Sequence, residues 1–394
     1  MYCAGPIVVA DTALISPLGH CCQYQMRIGF FTSSILPSNA ANGVQVMHMA
    51  EAFAATGHDV TLFATEGEMQ RDPYEHYGVA RTFELQRTPL VGGWPIRPGL
   101  VMARQLMSTY AKHRFDMLYS RRVRFLLGLS ALGVPLVHEA HSMPSRASDI
   151  RARKLLFRLP NFAYLVCISD ALRNDYLAAY PSLTREKTIV AHDAATPISM
   201  DAPKSPWPGR ERALQVGYVG GLYPGRGVEV VTGLAERYPQ VDFHLVGGSP
   251  EAIAELKQAG ITENTHCHGH VPHVQVSNYY ARFDILVAPF QKKVTTHGGG
   301  GDTSRWMSPL KIFEYMSAGK TIMCTGMPVL REVLNDQNAS LVPTGHVDDW
   351  ATALDELIDD PKRRLALGAQ AKRDFEEHYT WNIRAERVIA RDLL

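Results

Sequence analysis

Residues 214–248 read LQVGYVGGLYPGRGVEVVTGLAERYPQVDFHLVGG, and this stretch decides the fold class. Two short apolar runs, at residues 214–219 and 241–246, flank a glycine-rich turn and a helix-like segment. A strand, a crossover helix and a second strand form the unit from which parallel sheets are built. In such sheets, ligands bind beyond the carboxyl ends of the strands, so we look for chemistry in the loops that follow strands.

The alternation of strand-like and helix-like segments continues on both sides of this stretch. Short apolar runs precede it at residues 28–32, 58–65, 115–121, 134–142 and 163–170, and others follow at residues 265–271, 277–290, 321–326 and 339–345. Residues 197–212 interrupt the pattern with four prolines and several polar residues, as a linker does. The pattern predicts an α/β protein with two Rossmann-like, doubly wound domains that face each other across a cleft.

These boundaries divide the chain into four parts. Residues 1–25 lack periodicity and are expected to be a poorly defined extension, because Met26 begins the first strand-like run. Residues 26–197 and 198–378 are the two Rossmann-like domains. Residues 379–394 are a final helix, which we expect to pack back on the N-terminal domain.

The composition excludes several classes of protein. Of the 394 residues, 46% are hydrophobic and 20% are charged, and the formal net charge is +1, so a basic face for nucleic acid is not expected. The six cysteines show no repeated CxxC spacing, which favours thiols in a reducing compartment over a zinc site. No apolar run is long enough to span a membrane. We therefore expect a cytoplasmic protein with at most peripheral contact with the inner membrane face.

The first candidate site is the glycine turn at residues 220–227, directly after a strand. Gly220 and Gly221 let the backbone approach a ligand, and N–H groups at the start of the next helix attract an anion. Arg226 adds a guanidinium whose geometry suits phosphate oxygens. The spacing is not GxGxxG, which argues against a nicotinamide dehydrogenase. An ordinary glycine-rich turn remains the alternative interpretation.

The second candidate site runs from His297 to Gly319. Within it, Ser308 is expected to cap a helix whose first residue is Pro309. Lys311 falls in the first turn, where the helix dipole disfavours a cation unless an anion is bound there. Glu314 follows one turn later among apolar residues, and a carboxylate there can accept hydrogen bonds from two neighbouring hydroxyls, as in a ribose. A solvated surface glutamate is the alternative.

These motifs resemble the retaining glycosyltransferases of family 4, also called glycosyl transferases group 1, which have the GT-B fold. The resemblance covers the chain from Met26 to its end, and its most specific part is residues 308–319. The other matching motifs are weak singly but specific in order and spacing, and they lie at residues 42–43, 57–60, 167–169, 218–220, 226–227 and 287–289.

The resemblance implies roles for the C-terminal domain, which would bind a nucleotide-sugar donor. Glu314 matches the second glutamate of the family's Glu-x7-Glu motif, which holds the donor ribose. Arg226 matches the basic residue that binds the donor diphosphate. The backbone from Ser308 through Pro309 and Leu310 would contact the same phosphates, as would the glycine turn.

The resemblance also implies roles for the N-terminal domain, which would bind the acceptor. Gly43 matches a glycine loop that faces the donor phosphate and the acceptor. His141, in the sequence His138-Glu139-Ala140-His141, resembles the histidine near the transferred sugar. A histidine after a strand is alternatively a polar core residue with satisfied hydrogen bonds.

Two positions depart from the family pattern. The first glutamate of the motif falls at Trp306, and a basic residue that usually follows the strand glycine falls near Gly221. We hypothesise that Lys311 replaces the missing positive charge and that Asp302 takes over the hydroxyl contacts of the missing glutamate.

The expected reaction transfers a sugar from a nucleoside-diphosphate-sugar to an acceptor hydroxyl, with retention at the anomeric carbon. Negative charge grows on the leaving diphosphate, and fixed cations lower the barrier because they act where that charge develops. We expect neither a metal nor a further cofactor. The acceptor is a glycan, a lipid-linked molecule or a small molecule, and the sequence does not identify the base, the sugar or the acceptor.

Two rival functions share this fold. A nucleotide-sugar epimerase of GT-B fold would need no acceptor. A catalytically silent nucleotide-sugar binding protein is the alternative that is not an enzyme, and the loss of the acidic residue at Trp306 is the feature that favours it.

Overall fold

The computed structural model describes residues 25–88, 108, 114–198, 207–295, 301–343 and 345–389. Residues 1–24, which are all but the last residue of the expected N-terminal extension, lie outside the described residues. The part of the second candidate site around His297 also lies outside them. In the described chain, every strand pairing is parallel, within one sheet of seven strands and one of six.

The N-terminal sheet has the strand order β3-β2-β1-β4-β5-β6-β7. Its strands are β1 Arg27–Leu36, β2 Asp59–Glu66, β3 Glu84–Thr88, β4 Met117–Ser120, β5 Leu136–Ala140, β6 Phe162–Cys167 and β7 Thr188–Val190. The strands are mostly buried, as expected for a parallel sheet with helices on its faces.

The C-terminal sheet has the order β10-β9-β8-β11-β12-β13, so the chain reverses its winding direction beside β8. Its strands are β8 Gln215–Val219, β9 Asp242–Val246, β10 Thr265–Gly269, β11 Ile285–Ala288, β12 Thr321–Thr325 and β13 Ser340–Val342. The reversal between β8 and β11 creates the topological switch point at which doubly wound sheets bind ligands.

The helices connect these strands and cover the sheets. They are α1 Ala41–Ala55, α2 Pro73–Tyr77, α3 Val123–Leu129, α4 Ala147–Leu156, α5 Asp170–Ala179, α6 Val228–Arg237, α7 Pro250–Ala259, α8 Ser277–Tyr280, α9 Leu310–Ala318, α10 Val347–Asp359, α11 Pro361–His378 and α12 Trp381–Ile389. The predicted α/β class with two Rossmann-like domains is confirmed. No helix among the described residues is both long and apolar enough to cross a membrane.

The last helix, α12, returns to the N-terminal domain. Trp381, Ala385 and Val388 are buried in the same apolar core as β1 and α1. The hydroxyl of Tyr164, in β6, donates a hydrogen bond of 2.6 Å to the carbonyl oxygen of Val388. The end of the chain therefore ties the C-terminal domain to the N-terminal one.

Candidate active site

The glycine turn follows β8 and leads into α6. Gly220, Gly225 and Gly227 all have positive φ, and Gly227 is the N-cap residue of α6 with φ of 78°. A Cβ on Gly227 would lie 1.8 Å from the carbonyl oxygen of Pro289, so no side chain fits there. At Gly221 the ring of Tyr223 occupies the corresponding space. The turn therefore brings bare backbone to the carboxyl end of the sheet.

Lys311 reaches from the first turn of α9 to this glycine turn. A Cβ on Gly220 would lie only 2.6 Å from its Nζ. The ammonium lies 4.0 Å from the ring centroid of Tyr218, and among the described residues this buried nitrogen has no hydrogen-bond partner. Burial, reinforced by the nearby charge of Arg226, holds the pKa of Lys311 well below its usual value.

Arg226 lies close to Lys311, since both cations are near the ring of Phe290. The Cζ of Arg226 is 5.6 Å from that ring centroid, and the Nζ of Lys311 is 5.5 Å from it. Arg226 also donates a 3.2 Å hydrogen bond to the carbonyl oxygen of Thr295. Burial lowers the pKa of Arg226, because the buried surroundings solvate its charge poorly. The two cationic side chains therefore lie close together where the dielectric response is weak.

Glu314 lies one turn beyond Lys311 and is held by two donors. The Nε2–H of His273 donates to its Oε1 at 2.8 Å, and the hydroxyl of Tyr280 donates to its Oε2 at 2.6 Å. Burial alone would raise the pKa of Glu314, but these hydrogen bonds and the charge of His273 outweigh burial and lower it. The carboxylate is therefore ionised, with lone pairs left for further donors.

The start of α9 lies against the N-terminal domain. Leu310 packs on the apolar core that contains β1 and α1. The expected cap was wrong in detail, because Pro309 is the N-cap residue and α9 begins at Leu310, with no side-chain cap. The hydroxyl of Ser308 instead accepts a 2.8 Å hydrogen bond from the backbone N–H of Asp193. Ser308 thus joins the two domains, which competes with its use as a helix cap.

Trp306 makes a contact between the domains in place of the family's first glutamate. Its indole N–H donates to Asp175, in α5, at 2.7 Å, and Arg305 binds the same carboxylate with two nitrogens.

Asp302 is exposed, and its Oδ1 accepts hydrogen bonds from the backbone N–H groups of Val294 and Ser304. One of its oxygens therefore shapes the loop, and the proposed hydroxyl contact of Asp302 stays a prediction.

In the N-terminal domain, the expected glycine loop at Gly43 is part of a helix. Gly43 lies in the first turn of α1, and a Cβ there would lie 2.3 Å from the hydroxyl oxygen of Tyr77.

His141 follows β5, and its Nε2 bonds to the buried carboxylate of Glu139. Its side chain is 22% exposed, so part of the ring can be reached from outside.

Comparison with known proteins identifies the family. A model described as "Glycosyltransferase Family 4" matches residues 43–194, and one described as "Glycosyl transferases group 1" matches residues 213–360. The two matches cover the C-terminal sheet, the glycine turn and all strands of the N-terminal sheet except β1. The chain belongs to glycosyltransferase family 4. As a family 4 glycosyltransferase, it is an enzyme that transfers a sugar.

Several known proteins are similar to this glycosyltransferase. The MMP alpha-(1->4)-mannosyltransferase of Mycolicibacterium hassiacum is 21% identical, across 93% of this chain and 97% of the relative. A GDP-mannose-dependent phosphatidylinositol monomannoside mannosyltransferase of Corynebacterium glutamicum is 26% identical over 38% of each chain. The crystal structure of Anabaena HepE with UDP and glucose has a TM-score of 0.69 at 16% identity, covering 93% of this chain and 99% of HepE. That structural likeness supports the GT-B fold.

The sequence did not indicate the partners of the site residues. His273 and Tyr280 precede Glu314 by 41 and 34 residues, and no local pattern links them to it.

Among the described residues, Asp170, His192 and Glu332 are close enough to share a metal ion. However, Glu332 already accepts backbone N–H groups through both oxygens. The expectation of a metal-free reaction stays a prediction.

Proposed function

We propose that the glycosyl donor is a nucleoside-diphosphate-sugar whose pyrophosphate lies between the glycine turn, Arg226 and Lys311. The observation that carries this proposal is the buried ammonium of Lys311, which lacks a hydrogen-bond partner among the described residues. An unpaired buried cation beside a second cation is unfavourable, and a bound polyanion removes that cost. The lack of a side chain at Gly220 lets the ammonium of Lys311 lie directly against the glycine turn, because a Cβ there would be 2.6 Å from Nζ.

The adjoining ribose is assigned to Glu314. Its carboxylate is ionised and lies one helical turn from Lys311, which is close enough for the charge of Lys311 to lower its pKa. In this arrangement, one helix contacts both the phosphates and the sugar of the nucleotide.

The reaction we propose is transfer to an acceptor hydroxyl with retention. As the glycosidic bond breaks, Arg226 and Lys311 stabilise the charge that develops on the leaving diphosphate. Closure of the cleft excludes water and limits hydrolysis. The acceptor is a glycan, a lipid-linked molecule or a small molecule, and a cytoplasmic location belongs to the same proposal.

Two relatives support the class of donor. The Corynebacterium enzyme is named for its dependence on GDP-mannose, and HepE was crystallised with UDP-glucose. They differ in base and sugar, so a panel of donors is needed.

Calorimetry with UDP-, GDP- and ADP-sugars tests this assignment. We expect one class to bind the wild-type protein, and Lys311→Ala to weaken that binding by about 1.5–3 kcal/mol, the usual contribution of a hydrogen bond to a charged group. Lys257→Ala is the matched control, because Lys257 is exposed on α7 and carries the same charge. Equal donor affinity in the Lys311→Ala and Lys257→Ala variants would refute the assignment. Epimerised nucleotide-sugar released without acceptor would instead indicate an epimerase.

A further inference from the structure

The carboxylate of Glu139 is buried, with a side chain that is 0% exposed, and four side chains direct donors at it. Gln45 donates to Oε1 at 2.9 Å, and the guanidinium of Arg384 lies 3.4 Å from the same oxygen. The hydroxyl of Tyr119 and the Nε2 of His141 complete the set. Although burial favours the neutral acid, Arg384 and the hydrogen-bond donors lower the pKa of Glu139 to about 2.

An ionised carboxylate only accepts hydrogen bonds, so its contact with His141 fixes where the imidazole proton is. The Nε2 of His141 must carry a hydrogen in order to bond to Glu139. Burial and the positive charge of Arg121 lower the pKa of His141, which keeps the ring neutral near pH 7. A neutral ring has one proton, which leaves the Nδ1 of His141 with a free lone pair.

We infer that Glu139 is a positioning residue that holds His141 as the Nε2–H tautomer, so that Nδ1 accepts a hydrogen bond from a hydroxyl of the transferred sugar. This inference rests on the proposed function, since it takes His141 to be the histidine at the sugar. It excludes the opposite arrangement, in which His141 donates through Nδ1. It also gives α12 a part in the site, because Arg384 balances the charge of Glu139 from the far end of the chain.

The charged groups around this pair come from several elements. Arg384 of α12 is 2% exposed and lies 3.9 Å from Asp193, which follows β7. Arg121, after β4, donates to the side-chain oxygen of Gln45 at 3.3 Å. With Glu139 ionised, two arginines face two carboxylates, so a neutral His141 does not leave the cluster with excess charge.

His138, the residue immediately before Glu139, is an internal control. Its Nδ1 lies 3.0 Å from the backbone carbonyl oxygen of Ser120, which only accepts, so His138 must be the Nδ1–H tautomer. Burial lowers the pKa of His138 to about 3, and this ring is neutral as well. We therefore expect opposite tautomers for His138 and His141.

Nitrogen-15 NMR of the full chain, labelled at histidine and free of donor, tests the inference. The signal lost in His141→Gln assigns His141, and we expect its Nε2 to be protonated and its Nδ1 unprotonated, with the reverse pattern for His138. A His141 protonated at Nδ1, or at both nitrogens, near neutral pH would overturn the inference. Because no donor is present, this outcome is independent of whether the proposed donor binds.

The Glu139→Gln variant extends the test to turnover. Its amide oxygen is an uncharged and weaker acceptor for Nε2–H, so we expect the His141 tautomer to shift toward Nδ1–H while His138 is unchanged. We expect kcat to fall by about tenfold to hundredfold, the range for a hydrogen bond to a charged group, with the affinity for the sugar-free nucleoside diphosphate unchanged. An unchanged tautomer together with an unchanged kcat would contradict the positioning role, whereas loss of donor binding in the wild-type protein would contradict only the proposed function.

Discussion

Glu332 of the C-terminal domain caps a helix of the N-terminal domain, where its Oε2 accepts a 2.7 Å hydrogen bond from the backbone N–H of Asp170. Its Oε1 accepts a second, of 2.9 Å, from Ala171, and His192 lies 3.0 Å from Oε2. The first N–H groups of a helix lack intrahelical partners, and a carboxylate there also interacts favourably with the helix dipole. The two domains are thus joined at the start of α5.

We expect Glu332→Ala to lower the free energy of unfolding by about 1–2 kcal/mol, the typical cost of losing a helix N-cap. Hydrogen exchange at the amides of Asp170 and Ala171 should accelerate. Glu356→Ala is the control, because that exposed carboxylate pairs with the surface residue Arg363 and should change stability little. Unchanged exchange at α5 would show that the contact does not hold the domains together.

The contribution of Glu332 should depend on pH. Burial alone would raise its pKa, but His192 and the two backbone N–H groups lower it below the ordinary value near 4.5. A carboxyl group whose pKa is lowered by folding stabilises the fold at any pH above its ordinary, unfolded-state pKa. This stabilisation is lost as the pH falls through the folded-state pKa. Denaturation of wild type and Glu332→Ala should therefore differ near neutrality and converge in acid.

Gly227→Ala should be severely destabilising, at about 3 kcal/mol or more. Positive φ costs an alanine about 1–2 kcal/mol, and the clash with the carbonyl of Pro289 adds to it. Gly57→Ala separates the two effects, because Gly57 also has positive φ but open space around its Cβ position. Thermal unfolding should show a small loss for Gly57→Ala and a large one for Gly227→Ala. Equal losses would mean that the glycine turn is not as tightly packed as described.

Tyr280→Phe removes one of the two donors to Glu314. We expect a loss of about 1.5–3 kcal/mol in the free energy of unfolding, because the carboxylate is buried and charged. Tyr279→Phe is the matched control on the same helix, where the ring packs against Trp207 and His268 instead. Urea denaturation of both variants would show whether the hydroxyl of Tyr280 stabilises Glu314.

Arg384→Met should destabilise the protein by about 3–5 kcal/mol, since it leaves Glu139 buried without its positive partner. Arg387→Met makes the same chemical change one turn later on α12 and should cost much less. Comparable losses in chemical denaturation would mean that α12 is held by its apolar residues alone.

Local sequence was sufficient for the architecture and for several site positions. The alternation of apolar runs with helical segments predicted two doubly wound domains, because parallel strands buried on both faces leave a continuous apolar signal. The glycine turn was also visible, as was α9 itself, although its first residue was predicted one position too early and its cap was wrong. Resemblance to a family added roles for Arg226 and Glu314 that spacing alone did not supply.

Other features were decided by tertiary structure. Ser308 has the residue type of a helix cap, yet packing of the domains directs its hydroxyl to Asp193. Trp306 reads as a lost glutamate, but in the fold it binds Asp175 of the other domain. Both outcomes depend on how two domains meet, which the periodicity of either one does not specify.

The pairing of Glu139 with Arg384 spans 245 residues and is the clearest case. Each residue looks like an ordinary charge in its own segment. A buried charge is stable only when a partner is brought to it, and that partner arrives because α12 packs its apolar face on the N-terminal core. The sequence by itself determined the strands, the helices and the glycine turn through short-range sterics and hydrophobic patterning. The tertiary structure alone determined which charges meet, because those contacts form between segments that are distant along the chain.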